Sequence, residues 1–336
     1  MQYKSVKGFT GWGQLGFLFA FLGLGFILAG GAELLLTIQI LPTGVKISDK
    51  DAMINAIMNP KNVNMARLIQ VSGTLLLLFV PAILWSLASN GKKMFWLGFN
   101  KYVGWRQILL GFLIIFTAGI VAAPLEDLSK YIIAHFPSLD AMAKKMEDEY
   151  NQQALALSNL RGWSDYIIAM VIMAFLPAMF EEVFFRGVLQ NLLVKWLRKP
   201  IVGILISAVV FSLIHMSIYL FLSRFVLGFA LGWMFYQTKN IWVNIIAHFL
   251  NNAMALSMLF FSVKTTVVKD VDQLDPHVPA WGGVLAALVL IGFFIFLRNF
   301  SEMNKARIEA KENLLIAAAD PFRSFAETEI YSDGHQ

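Results

Sequence analysis

Long apolar runs separated by short polar breaks set the pattern of this chain. Eight segments between flanking ionisable residues have the character of membrane-spanning helices, which need about 20 mostly apolar residues. They are roughly 10–40, 68–90, 107–125, 164–196, 200–223, 225–238, 241–262 and 279–297. The sixth holds only 14 residues between Arg224 and Lys239, and it spans only if its end residues snorkel. The first follows Lys4 and Lys7 but runs about 30 residues, too long for the apolar core of a signal peptide, and is expected to stay as a helix. Its Gly23, Gly25, Gly30 and Gly31 predict close helix packing.

The polar stretches divide the rest. From Leu125 to Trp163, apolar and charged residues alternate at helical spacing, which predicts one or two interfacial or extramembrane helices split at Pro137. After Arg298 an amphipathic helix is expected over about 301–318, followed by a disordered polar end. The expected organisation is therefore a helix bundle over 1–298 and a cytoplasmic, partly disordered tail over 299–336.

Composition agrees with the pattern. With 58% hydrophobic residues, 15% charged and a mean hydropathy of +0.64, the fold class is an all-α, polytopic integral membrane bundle of about eight transmembrane helices, not a soluble domain. Trp12, Trp105, Trp163, Trp242 and Trp281 fall near predicted helix ends, as interfacial belts require. The absence of cysteine excludes a disulfide framework, a thiol nucleophile and a Cys-ligated metal.

The net charge of +5 is better read loop by loop than as affinity for nucleic acid. The N-terminus, loop 91–106, loop 195–199 and the Lys239 turn carry ten Lys or Arg and no Asp or Glu. The alternate loops carry eleven basic and twelve acidic residues over a much longer length. By the positive-inside rule, both termini are expected in the cytoplasm.

Against this background a few polar side chains stand out. Glu181, Glu182 and Arg186 interrupt the fourth segment, although a charge at bilayer depth costs about 3 kcal/mol or more. In a helix Glu182 and Arg186 share a face and can pair, while Glu181 points about 100° away and stays available. His215 lies within the fifth segment, four residues after Phe211, and His248 and Asn252 share a face of the seventh. Lipid can satisfy none of these groups, so the three faces are expected to converge on one polar cavity.

Counted from the ends of their segments, the depths of these residues agree only to a few turns, unless the fourth and fifth helices extend past the bilayer. A carboxylate beside imidazole can take a proton from water, and imidazole with a carboxamide can donate to a developing oxyanion. Alternatively Glu181, His215 and His248 could hold a divalent metal such as zinc that activates the water. The residues leave both routes open. HExxH, a GxSxG in a span and paired intramembrane aspartates are all missing.

The ordered set Glu181-Glu182-xxx-Arg186, Phe211-xxx-His215 and His248-xxx-Asn252 resembles the EExxxR, FxxxH and HxxxN motifs of the CPBP family, also called the Abi or CAAX amino-terminal protease family. The resemblance covers about 164–262, the protease core, and is specific as a set. That family contains the eukaryotic CAAX prenyl endopeptidase and bacterial membrane proteins linked to bacteriocin processing or self-immunity.

The resemblance implies an intramembrane endopeptidase, of glutamate or metallo type, acting on a membrane-anchored peptide or protein. Glu181 with His215 would activate water, His248 with Asn252 would serve the oxyanion, and Glu182 with Arg186 would be a supporting ion pair. The expected location is a bacterial inner membrane. The rival reading is a non-catalytic immunity or partner-binding protein of the same fold; a proton-coupled transporter is disfavoured because inverted repeats are not evident. His135, His277 and His335 read as solvated residues, Glu33 as an interfacial one and Arg224 as a snorkelling anchor.

Overall fold

The computed structural model describes residues 3–158, 160, 162–265 and 278–319. Their regular structure is helical throughout: α1 Gly11–Ile38, α2 Lys50–Met58, α3 Pro60–Ser89, α4 Trp105–Ile133, α5 Pro137–Ser158, α6 Trp163–Leu197, α7 Pro200–Leu213, α8 Phe221–Thr238, α9 Ile241–Thr265 and α10 Ala280–Ala319. Each of the eight apolar segments gives a helix. Among the described residues six are long and apolar enough to cross a membrane, namely α1, α3, α4, α6, α9 and α10. The 14 residues of α7 and 18 of α8 form a shorter pair. The polar end of the chain with His335, and the stretch with His277, lie outside the described residues.

Helix boundaries follow local chemistry. Thr10 caps α1 by accepting from the Gly13 amide at 3.2 Å, and Asp49 caps α2 by accepting from Ala52 at 3.0 Å. Pro137 and Pro200 stand at the first turns of α5 and α7, where a missing N–H costs nothing. The expected break at Pro137 is thus present, but α4 runs two turns past the predicted 107–125, through Pro124 to Ile133. Inside α3 and α6, π-helical stretches at Leu75–Phe79 and Met170–Phe175 come just before Pro81 and Pro177, prolines that cannot donate to the preceding turn. A third π stretch, Val183–Gln190, holds no proline and coincides with the charged part of α6.

Two apolar cores flank that part of α6. In one, Val183, Phe185, Val188 and Leu192 pack with Leu18 of α1, Trp85 of α3 and Phe211 of α7. In the other, Ile114 and Ala118 of α4 pack with Leu231 and Met234 of α8 and Ala247 of α9. Outward-facing residues such as Phe26, Ile27 and Leu35 of α1 and Leu288, Ile291 and Ile295 of α10 are exposed, as a lipid-facing surface requires. Of the four α1 glycines expected to pack closely, only Gly25 does: a Cβ there would stand 2.5 Å from the Leu76 carbonyl oxygen, while Gly23, Gly30 and Gly31 have nothing within 4 Å. Glu33 lies on the exposed surface of α1.

The basic segments meet at one end of the bundle. Lys7 donates to the Leu87 carbonyl, Asn100 to the Lys239 carbonyl, and the Ile241 amide to the Gly98 carbonyl at 3.0 Å. On α10, Glu312 pairs with Lys195, and Glu309 with Lys239 at 2.9 Å. This end also resolves the mismatch in depth. Gly187 packs on Leu97, where a Cβ would meet the carbonyl oxygen at 2.9 Å, so Gly187 of α6 and Ile241 of α9 share a level. Counted from there at about 1.5 Å per residue, Glu181 and His248 both lie roughly 10 Å along their helices.

Candidate active site

The charged part of α6 is fastened by a stripe at i, i+4 and i+8. Arg186 Nη1 donates to Glu182 Oε1 at 2.8 Å and Nη2 to the Gly228 carbonyl at 3.1 Å; Gln190 Nε2 donates to the Gly232 carbonyl at 2.8 Å. Small residues on α8 allow this approach, since a Cβ at Gly232 would lie 2.8 Å from both Gln190 and Ile204. Glu182 and Arg186 are fully buried.

Glu182 takes more than the expected arginine. Asn244 Nδ2 of α9 donates to its Oε2 at 3.0 Å and to the Leu231 carbonyl at 2.7 Å, and His248 Nδ1 donates to its Oε1 at 2.9 Å. A carboxylate in this state only accepts, so the proton of that last bond sits on Nδ1, and Nε2 of His248 is left free for another partner. Asn244 was not singled out from the sequence. Its signal is the spacing Asn244, His248, Asn252, a polar stripe that begins one turn earlier than the HxxxN motif.

His215 corrects an expectation. It does not lie within a transmembrane helix but on the turn after α7, which ends at Leu213. The chain leaves the helix through Met216 in the left-handed region at φ 53°, and Arg224 Nη1 of α8 binds the His215 carbonyl at 3.1 Å. Arg224 is therefore a cap on this turn, with its guanidinium over the Tyr150 ring of α5 at 5.1 Å, and not merely a snorkelling anchor.

His215 Nδ1 donates to the Phe211 carbonyl at 2.7 Å, which again frees Nε2. Phe211 supports the arrangement with its ring as well: it carries the Arg186 guanidinium at 4.8 Å and lies 4.8 Å and 6.1 Å from the rings of His215 and His248.

Glu181 is where these orientations converge. Its Oε2 stands 3.9 Å from Nε2 of both His215 and His248. Exposure rises outward from the sealed Glu182–Arg186 pair through His248 at 9% and Glu181 at 15% to His215 at 26%, so the opening lies on the His215 side. Asn252 lies one turn beyond His248 on the same face of α9, and its side chain makes no hydrogen bond among the described residues. His135 is exposed on the turn after α4, where it bonds the Tyr131 carbonyl at the end of that helix.

Two atoms 3.9 Å apart can share a hydrogen-bonded water with an angle of about 90° at its oxygen. A zinc ion at about 2.0–2.1 Å from each atom would need an angle of about 140–150°, far from tetrahedral, unless the side chains closed in by about 0.5 Å. Among the described residues no group of three His, Asp or Glu stands in metal-holding geometry. The arrangement as it stands therefore suits water held by Glu181 and two imidazoles better than a metal.

A helical membrane bundle with a buried Glu–Arg–His–Asn network beside an accessible glutamate and histidine pair is the class that fold and site define. Residues 163–254 match the family described as Type II CAAX prenyl endopeptidase, Rce1-like. The chain is also similar to the candidate membrane peptidase YdiL of Bacillus subtilis (strain 168), at 25% identity over 108 residues, 32% of this chain. That match spans 44% of the relative's length, less than half of it. No solved structure matches. The CPBP, CAAX-protease-like resemblance drawn from the motifs is borne out over this part of the chain.

Proposed function

We propose that this chain is an intramembrane endopeptidase that hydrolyses a peptide bond of a membrane-anchored protein or peptide with water activated at Glu181. The observation that carries the reading is the placement of Glu181 Oε2 at 3.9 Å from two imidazole nitrogens whose Nδ1 atoms are already bound elsewhere. Water held there loses a proton to Glu181 as its oxygen adds to the peptide carbonyl. His248, carrying a second proton on Nε2, and the Asn252 carboxamide donate to the oxyanion. The proton on Glu181 passes to the leaving nitrogen as the C–N bond breaks, giving an amine and a carboxylic acid, which then gives its remaining proton to solvent. Glu182, Arg186 and Asn244 do not touch the substrate; they fix the orientation of His248.

Where a divalent metal is bound, Glu181, His215 and His248 are the residues that would hold it, and it would supply Lewis acidity to the water. We place the basic end of the bundle in the cytoplasm, because it carries ten Lys or Arg in its short segments with no Asp or Glu among them. The setting is a bacterial inner membrane.

The test is cleavage of a quenched fluorescent peptide library by detergent-purified wild type and Glu181→Gln, each with and without a zinc chelator. Cleavage by the wild type that is lost in Glu181→Gln and survives the chelator is expected. Cleavage retained by Glu181→Gln refutes the role of that residue, and chelator sensitivity refutes the metal-free route. Binding of peptides without cleavage by either protein favours the immunity or partner-binding reading.

A further inference from the structure

We propose that Arg224 is a positioning residue for His215 and that α5 is the clamp that holds both in register. The inference rests on the endopeptidase reading for its kinetic consequence, but its structural part stands independently. His215 lies on a seven-residue turn between α7 and α8, and two bonds determine where its ring points. One is Nδ1 to the Phe211 carbonyl, and the other is Arg224 Nη1 to the carbonyl of His215 itself. The first sets the ring and the second sets the backbone that carries it. Without Arg224, that carbonyl loses its partner just where the chain turns into the left-handed conformation of Met216, one that non-glycine residues adopt at a cost.

Arg224 is in turn held by α5, whose Tyr150 ring stacks under the guanidinium. The same face of α5 binds the turn twice more. Glu147 accepts from Ser217 Oγ at 2.9 Å, and Asp140 accepts from the Tyr219 hydroxyl at 2.5 Å. Asp140, Glu147 and Tyr150 recur at helical spacing, so one rigid face grips the turn along its length. The far end of α5 is anchored by the fully buried Arg67 of α3, whose Nε donates to the Leu157 carbonyl at 3.0 Å. Two arginines from different helices thus fix α5 over the turn, and through it the approach of His215 Nε2 to Glu181. A misplacement of about 1 Å at a reacting group is enough to cost on the order of 100-fold in rate.

The experiment compares wild type, Glu181→Gln, Arg224→Ala, Arg224→Lys and Tyr150→Ala by peptide cleavage. In parallel, nitrogen-15 ring signals of the histidines are recorded on the full chain in detergent. With five histidines in the sequence, the His215 signals are assigned by their loss in His215→Ala.

Expected for Arg224→Ala are a fall in kcat of about 10- to 100-fold with KM changed less than about threefold, and a shifted or broadened His215 Nδ1–H signal. Arg224→Lys, which keeps a donor, recovers part of both, and Tyr150→Ala shows the same effects more weakly. An unchanged His215 signal in Arg224→Ala overturns the inference whether or not the protein cleaves anything. Unchanged kcat in an Arg224→Ala protein whose wild type cleaves and whose Glu181→Gln does not overturns it while leaving the endopeptidase reading intact. Should Arg224→Ala not fold, Tyr150→Ala decides on the same two readouts.

Discussion

Replacing Arg186 with alanine tests the physical basis of the site most directly. The side chain is 1% exposed and makes one ion-paired bond to Glu182 at 2.8 Å, one bond to the Gly228 carbonyl at 3.1 Å and a stacking contact on Phe211. Truncation removes all three and leaves a carboxylate at zero exposure with His248 and Asn244 as its remaining donors. Leaving one partner of a buried pair uncompensated costs about 3–5 kcal/mol. For a chain of 336 residues that corresponds to a fall in Tm of about 4–7 °C.

The assay is thermal unfolding in detergent, followed by tryptophan fluorescence. The informative control is the charge-free double variant Glu182→Gln with Arg186→Met, which removes the orphaned charge and is expected to recover at least half of the loss. An Arg186→Ala protein within about 2 °C of wild type, or a double variant as unstable as the single one, would refute the argument that burial of an unpaired charge dominates here.

Three further outcomes follow from the structure. Asn244→Ala is expected to lower stability by about 1–3 kcal/mol, because it strips a bond from buried Glu182 and another from the Leu231 carbonyl. Asn252→Ala should leave Tm unchanged and lower kcat alone; paired melting curves and cleavage rates check both. Gly187→Ala is expected to cost about 1–3 kcal/mol, since its Cβ meets backbone at Leu97, whereas Gly119→Ala, with open space around it, should be neutral within about 0.5 kcal/mol by the same melts.

The helices of this bundle were legible because lipid exposure leaves continuous apolar runs, and α6 matches the run at 164–196 within a residue at either end. The polar set was legible for the complementary reason, as charges and imidazoles have no business in such runs unless they meet. What periodicity could not reveal is where a run stops being a helix. Residues 214–220 contain His, Ser and Tyr but stay apolar on balance and carry no charge, so their hydropathy does not by itself mark the turn that presents His215; the cap comes from Arg224, nine residues further on, and from α5. Asn244 escaped notice because an asparagine near a helix end reads as ordinary, and its importance lies in a carboxylate 62 residues away in the chain. The shared depth of Glu181 and His248 likewise depends on the Gly98 turn meeting both α6 and α9, a contact between segments that no local window contains.

The four-residue spacing of Glu182 and Arg186 also has a meaning for how the protein is made. α6 precedes α8 and α9 in the chain, and in hydrocarbon a lone carboxylate or guanidinium would resist insertion before those helices join it. By carrying both halves of the pair one turn apart, the segment brings its own counterion and needs no later helix to become insertable. The arginine's second Nη then waits for the Gly228 carbonyl, and the carboxylate's spare lone pairs wait for Asn244 and His248. Each arriving helix finds a polar group already at membrane depth that only it can satisfy. Unmet hydrogen-bonding capacity in a half-made bundle thus becomes the instruction that selects the right neighbours as the remaining helices are laid down.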